Sequence, residues 1–357
     1  MIAALKAQVR AGSRLLPALA VGTAGGGLAY ALHTPLPWLL GALIATTVLS
    51  LAGVRLQAPT RSRKAVLVVV GVMLGSAFTP DLAGDVGLWG VSLAVMLVAT
   101  AIMMLVSFWL GRRVAGHSVE TAVYAGMPGG ISSVTLMAAD TRADLRVVGL
   151  THGVRILVLL LVIPSVLQWA DHISLQTPGM TLGQWLALPS FDEALMLLTA
   201  GVAGAWLGQC LRLPNPLLFG PVLLSGGLHI SGLSEAALPP AIIALAQVVI
   251  GISVGARFAG VSLAAVGSSL VVALMQAVVL LLVALMAAWV AHLVTGFSLA
   301  AVLLAYMPGG APELSLVALS LGIEPAFVTA HHLVRITVLI LLMPALVAGF
   351  KRLSRGA

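Results

Sequence analysis

The sequence predicts an all-α polytopic membrane protein: two inverted repeats of five transmembrane helices, ten spans in total, each repeat carrying a re-entrant or broken hairpin at a Met-Pro-Gly-Gly string. Composition, internal repetition and the placement of positive charge carry that prediction. Of 357 residues, 60% are apolar and 8% are charged, whereas soluble domains carry about 25% charged residues. A surface so poor in charge is wetted by lipid. Apolar runs recur along the whole chain, and a helix needs about 20 of them to cross about 30 Å of hydrocarbon. Helices satisfy their own backbone hydrogen bonds, which makes them the default spanning element. The short alternating segments of a β-barrel are absent from the sequence.

The first apolar run, 15–32, follows Lys6, Arg10 and Arg14. That layout resembles the basic start of a signal peptide, but the run reads as the first span of a retained protein. Spans 37–54, 65–80, 87–111 and 146–168 complete the first repeat. Spans 194–210, 216–233, 240–256, 264–292 and 326–349 form the second. The strings YAGMPGGISS at Met127 and AYMPGGAPEL at Met307 set the register, with an offset of 307 − 127 = 180. At the same offset His152, Arg155 and Pro164 match His332, Arg335 and Pro344, and Gly71 and Gly75 match Gly251 and Gly255. Pro35, Pro37 and Gly41 match Pro214, Pro216 and Gly220 at 220 − 41 = 179. These landmarks fall in one order, giving membrane repeat 1 as 13–170 and membrane repeat 2 as 192–350. The G-x-x-x-G pairs at 71/75 and 251/255 read as close helix packing. The single cysteine, Cys210, makes an intrachain disulfide impossible.

The segment at each Met-Pro-Gly-Gly string decides the topology. If it crosses the membrane, each repeat has six spans and the repeats are parallel; if it enters and leaves on one side, each has five and the second is inverted. Cytoplasmic loops collect Lys and Arg near span ends. With the N-terminus inside, five spans per repeat place 16 of the 18 Lys and Arg residues inside, the other two being Arg155 and Arg335 within spans. Six spans would put Arg142, Arg146, Arg212 and Arg257 outside. The outer loops of the five-span arrangement carry only acids: Asp81, Asp85, Asp171, Asp192, Glu193, Glu235 and Glu324. Both termini are then cytoplasmic, and proline with two glycines suits a hairpin tip, fixing a turn and permitting positive φ.

Irregular backbone at membrane depth is tolerated where protein buries it or where it lines a wet cavity. Two tips arriving from opposite faces would meet near the midplane, the build of many secondary transporters. Met127, Pro128, Gly129 and Gly130, with Met307, Pro308, Gly309 and Gly310, are therefore candidate binding residues, because exposed amides and half-helix N-termini favour anions. Arg155 lies nine residues past Arg146, roughly 14 Å along the helix, where an ionisable group is costly and marks a site. His152 and Arg155, like His332 and Arg335, are i, i+3 pairs on one face. Each arginine could bind substrate, hold the carbonyls of its neighbouring hairpin, or do both. Glu313 follows the second tip where the first has Ser133, and is either a coupling carboxylate or a static partner for Arg335 or Arg155. Ser132, Ser133 and Ser315 add hydroxyls. His331 and His332, being adjacent, point to different faces and make no i, i+4 metal pair. No metal cluster, phosphate loop or dinucleotide fingerprint stands out.

The paired MPGG motifs, each followed about 25 residues later by H-x-x-R and an apolar run ending in proline, resemble the AbrB family of bacterial integral membrane proteins. The likeness covers nearly the whole chain. The family is distinct from the soluble DNA-binding sporulation regulator of the same name. The resemblance implies a link to control of gene expression, and many members carry an ammonia monooxygenase label. The family is also similar, distantly, to transporters built from inverted five-helix repeats. A monooxygenase needs copper or iron ligands that this sequence does not cluster, so no enzyme activity, cofactor or metal is expected. The function expected is secondary transport of a small, organic, anionic metabolite across the bacterial inner membrane, coupled to protons. The alternative is indirect regulation of gene expression without transport. The expected partners are a small-molecule substrate and the lipid bilayer, with no nucleic acid; a homo-oligomer is left open.

Overall fold

The computed structural model describes residues 2–56, 60–84, 86–170, 182–260 and 267–353, with side chains described except at 2–15, 83, 84, 86, 131–133, 168–170, 182, 267, 268 and 353. Asp85, Asp171 and the side chains of Lys6, Arg10, Arg14, Ser132 and Ser133 thus lie outside the described residues. The described residues are helical and contain no strand. In chain order they form α1 (Ile2–Ala31), α2 (Pro37–Leu51), α3 (Thr60–Gly75), α4 (Val86–Trp109), α5 (Val119–Gly126), α6 (Ile131–Ala139), α7 (Leu145–Ala170), α8 (Leu182–Trp185), α9 (Phe191–Cys210), α10 (Pro216–Ile230), α11 (Pro240–Gly255), α12 (Gly267–Thr295), α13 (Leu299–Tyr306), α14 (Ala311–Leu321) and α15 (Pro325–Leu353). Stretches Gly87–Val114, Leu145–Leu167, Pro240–Phe258, Ser269–Thr295 and Pro325–Arg352 are long and apolar enough to cross a membrane. Leu16–Ala31, Pro37–Leu51, Pro216–Ile230 and Ala311–Leu321 are shorter apolar helices.

Helices occupy all ten expected span positions, and the bounds differ for local reasons. α2 ends at Leu51 because Gly53 takes φ +92, a left-handed conformation suited to glycine. α3 ends at Gly75 rather than 80 because Pro80 lacks an N–H and pushes its neighbour out of the helical region. α2 opens on Pro37, whose missing N–H costs nothing at a first turn.

Two compact units make up the chain, one of Met1–Thr79, Leu160–Leu211 and Pro216–Ser262, the other of Pro80–Leu159, Arg212–Asn215 and Leu263–Ala357. Each draws on both halves of the sequence. In the first unit small residues let helices touch at the backbone. A Cβ on Gly41 would strike the Gly25 carbonyl where α1 crosses α2, and one on Gly220 would strike the Gly204 carbonyl where α9 crosses α10. On α3, Gly71 abuts the Leu218 carbonyl of α10 and Gly75 abuts Ser225. On α11, Gly251 abuts the Leu39 carbonyl of α2 and Gly255 abuts the Leu43 carbonyl. The third helix of each half thus packs on the second helix of the other half. The backbone repeats as well: the non-glycine residues His33 and Leu36, with positive φ, recur 179 residues later as Arg212 and Asn215.

The second unit holds both broken segments. α5 and α6 have 8 and 9 residues, and α13 and α14 have 8 and 11. At about 1.5 Å per residue each helix reaches about half of a 30 Å hydrocarbon layer. The amide of Arg142 donates to Glu120 Oε2 (3.0 Å) and that of Asp144 to Thr121 Oγ1 (2.9 Å), so the chain leaving α6 returns to the start of α5. Phe297, just before α13, packs on Phe327 of α15, with ring centroids 4.9 Å apart. Trp89 at the start of α4 meets the same Phe327 at 5.6 Å, while Phe108 and Phe350 meet at 4.4 Å near the far ends of α4 and α15. These two helices therefore run parallel. Gln276 early in α12 donates to the Ser107 carbonyl late in α4 (2.9 Å), and α12 runs the other way.

Lys351 at the end of α15 pairs with Glu120 (2.6 Å), the one ion pair among the described residues. The Lys351 ammonium hydrogen-bonded to it holds the Glu120 carboxyl below the usual carboxylate value, outweighing the opposing effect of burial. A lowered carboxyl stabilises the fold above its unfolded value and loses that contribution as pH falls through the folded value. Lys351→Ala is therefore expected to cost under about 1 kcal/mol at pH 7, with the difference from wild type vanishing below about pH 4. Thermal unfolding in lipid nanodiscs at the two pH values checks this.

Candidate functional site

Each Met-Pro-Gly-Gly string forms the same break. Gly129 N bonds the Met127 carbonyl and Gly309 N the Met307 carbonyl, both at 2.9 Å, closing a three-residue turn around Pro128 and Pro308. The next helices start at once, with Val134 N on the Gly130 carbonyl and Leu314 N on the Gly310 carbonyl, both at 3.1 Å. The expectation of positive φ at these glycines is corrected. Gly130 and Gly310 sit at φ −67 and −72, and Gly129 and Gly309 are not among the positive-φ residues. Proline alone supplies the turn, and in the second tip the glycines supply room. A Cβ on Gly309 would crowd Leu314, and one on Gly310 would strike the Glu313 carboxylate. At Gly130 the nearest described atom to a Cβ would be Ile336 Cδ1, 4.0 Å away.

A helix that stops inside the protein leaves its last carbonyls unbonded, and cations are favoured there. The H-x-x-R pairs fill that role. Arg155 Nη2 donates to the Met127 carbonyl (2.8 Å) and lies 2.9 Å from His152 Nδ1, while His152 Nε2 lies 2.9 Å from the Tyr124 carbonyl. In the second half Arg335 Nη1 donates to the Tyr306 carbonyl (3.0 Å) and Nη2 contacts His332 Nδ1 at 2.6 Å. His332 faces the carbonyl of Leu304, the counterpart of Tyr124, with Nε2 outside good hydrogen-bond geometry. The arginines thus do hold the carbonyls of their own tips.

That capping leaves charge to spare. Arg155 is 1% exposed and Arg335 0%. Neither forms an ion pair with a described residue, Lys351–Glu120 being the one such pair among them. Arg155 Nε and Nη1 and Arg335 Nε are buried donors without a partner, and Arg155 is near enough for its charge to act on Arg335. Two guanidiniums, both buried and uncompensated, form a strongly positive locus beside two tips from which α6 and α14 start, N-termini first.

The remaining sequence candidates fall into place differently. The Met127 side chain packs in an apolar cluster with Val123, Val134 and Leu339, and Met307 is buried; each tip offers backbone rather than sulfur. Glu313 is buried, turned back toward Gly310, with Oε2 unpartnered; it pairs with neither arginine. Ser315 is buried with an unpartnered Oγ. Among the described residues no group of His, Cys, Asp and Glu could hold a metal. The sequence reading missed one polar cluster. His331 bonds the Phe327 carbonyl through Nδ1 (2.8 Å) and Ser92 Oγ through Nε2 (2.9 Å), and the Tyr306 hydroxyl donates to the Ser92 carbonyl (2.6 Å). The available signal was a serine inside an apolar span and a tyrosine directly before the second tip.

Comparison with known proteins agrees with the motifs. A family model described as AbrB, Transition state regulatory protein AbrB, matches residues 38–351. The chain is 27% identical over 319 residues to "Putative regulator AbrB" of Escherichia coli (strain K12), covering 88% of this chain and 90% of that protein. It is 23% identical over 354 residues to "Uncharacterized protein YhjN" of Bacillus subtilis (strain 168), covering 91% and 90%.

Proposed function

The chain belongs to the AbrB family, and from that membership together with its buried arginine pair we propose that it is a secondary transporter of a small organic anion in the bacterial inner membrane. The single observation that carries the reading is the pair Arg155 and Arg335, both buried, neither ion-paired, with three donor nitrogens unused. Burying an uncompensated ion costs several kcal/mol, and an anion between the tips removes that cost. The helix starts after Gly130 and Gly310 add the positive ends of two dipoles.

The topology that suits this role is ten spans in two inverted repeats, with re-entrant hairpins and both termini cytoplasmic. The return of α6 to the start of α5 favours a hairpin over a crossing, as does α12 running antiparallel to α4. In a Cys210→Ser background, a cysteine at Glu235 is expected to react with a membrane-impermeant maleimide from outside, and one at Arg142 only from the cytoplasmic side. Both are exposed positions. Labelling of the Arg142 position from outside with the Glu235 position reached only from the cytoplasm, as six spans per repeat require, or of both from one side, rejects the inverted arrangement.

Function is tested with purified protein in nanodiscs, by thermal shift against a panel of mono- and dicarboxylates, followed by uptake of the best stabiliser into proteoliposomes. Stabilisation by none of them, in wild type, rejects the anion site. The name of the Escherichia coli relative motivates a second reading, control of gene expression through the level of the transported metabolite. It predicts that a transport-dead variant with normal abundance also loses the regulatory phenotype.

A further inference from the structure

His331, Ser92 and Tyr306 have no equivalents at the repeat offset: 331 − 180 = 151 is Thr151, 306 − 180 = 126 is Gly126 and 92 + 180 = 272 is Val272. The cluster is therefore one-sided, and it adjoins the second tip directly, since Tyr306 precedes Met307 and its carbonyl takes Arg335 Nη1. We infer that His331 is the proton-binding site of this protein, and that its protonation is linked through Ser92 and Arg335 to the second tip and to the anion bound there. The link to an anion rests on the proposed function; the proton site and its dependence on Arg335 do not.

The hydrogen bonds define two complete arrangements. Nδ1 faces a carbonyl, which only accepts, so Nδ1 carries its proton in both charge states. In neutral His331 the unprotonated Nε2 accepts from the Ser92 hydroxyl. In the imidazolium, Nε2–H donates to Ser92 Oγ instead, and the serine proton is released to turn elsewhere. The Tyr306 hydroxyl oxygen lies 3.1 Å from Ser92 Oγ and spends its own proton on the Ser92 carbonyl, so it can accept. Taking up a proton at His331 thus switches the Ser92–Tyr306 contact on, and no polar group is orphaned in either state.

Aromatic rings surround the imidazole. Phe327, Trp89 and Tyr306 ring the imidazole, with centroids 3.9, 6.4 and 6.2 Å away, within or near cation–π range. Trp89 is half-buried at the start of α4. The titratable or charged groups facing His331 are Tyr306 from α13 and, on α15 itself, His332 and Arg335; α4 contributes Ser92 and Trp89, which do not titrate. Burial opposes the imidazolium, and so does the like charge of Arg335 one turn on. An anion on Arg335 cancels that opposition, so anion and proton strengthen each other's binding, and linkage makes the effect reciprocal. This is the energetics of co-transport, and it assigns the coupling proton to His331 rather than Glu313.

The test is NMR of protein with 13C-labelled histidines in lipid nanodiscs, without any anion ligand. His331→Gln identifies the His331 signal among the eight histidines. That signal is expected to change charge as pH is lowered, with proton affinity about tenfold higher in Arg335→Gln and several-fold lower in Ser92→Ala, which removes the acceptor of Nε2–H. A His331 signal that does not titrate, or that titrates identically in Ser92→Ala and Arg335→Gln, overturns the inference. If Arg335→Gln does not fold, Ser92→Ala alone decides. Failure of every carboxylate to bind would reject the anion site while leaving these titrations as they stand.

Discussion

Arg335→Gln is expected to abolish anion binding, by at least about 100-fold, while leaving thermal stability unchanged or raised. The same holds for Arg155→Gln. Two opposing costs decide the sign for stability. Removing Arg335 deprives the Tyr306 carbonyl and His332 of a partner, at about 1–3 kcal/mol each. It also removes a fully buried cation without a counter-ion, whose desolvation costs several kcal/mol. Glutamine keeps a donor amide, so the hydrogen-bond loss falls at the lower end and the relief matches or exceeds it. Binding has no such compensation: losing a desolvated charge partner costs about 2–5 kcal/mol, and about 2.7 kcal/mol is a hundredfold. Thermal unfolding with and without a carboxylate separates the two effects. Wild type should gain about 2.7 kcal/mol at a hundredfold excess over its Kd, and each variant at most about 0.4 kcal/mol at the same concentration. A variant that unfolds in the absence of ligand, or binds as wild type does, contradicts the assignment.

Gly220→Val is expected to disrupt the first unit, costing about 3 kcal/mol or more. Its Cβ would meet the Gly204 carbonyl, with the carbonyl carbon of that residue 2.8 Å away. Both partners are helix backbone, so no side chain can swing aside and α9 and α10 must separate. Overpacking typically costs about 1–3 kcal/mol, and a backbone collision belongs at the top of that range. Gly227→Ala, on the same helix with nothing within 4 Å, is the matched control, and should gain up to about 1 kcal/mol from reduced backbone freedom in the unfolded state. Loss of folded yield for both would mean that α10 is intolerant for another reason.

Much of this architecture was legible in sequence because membrane helices and their breaks are written in composition. Long apolar runs, the paired Met-Pro-Gly-Gly strings and the H-x-x-R spacing located ten helices, two tips and the arginines that cap them. The G-x-x-x-G pairs announced close packing but not their partners, since a small residue marks a contact without saying what fills it. Gly25 and Gly204 passed unnoticed among 38 glycines. The left-handed residues Leu36 and Asn215 have side chains that carry no signature of that conformation. His331 was passed over because a search by repetition favours what occurs twice, and its network occurs once. At the tips, glycine suggested unusual torsion where the need was space.

The crossed packing of α3 on α10 and α11 on α2 bears on how the molecule is made. When the first half leaves the ribosome, the surface around Gly71 and Gly75 has no match, because its match has yet to be synthesised. Those helices must wait in the bilayer with small-residue faces against lipid, and assembly completes only when the second half arrives. Neither half alone holds a full set of partners. A half-length chain would meet that need only by pairing with a second copy, each lending its third helix to the other's second.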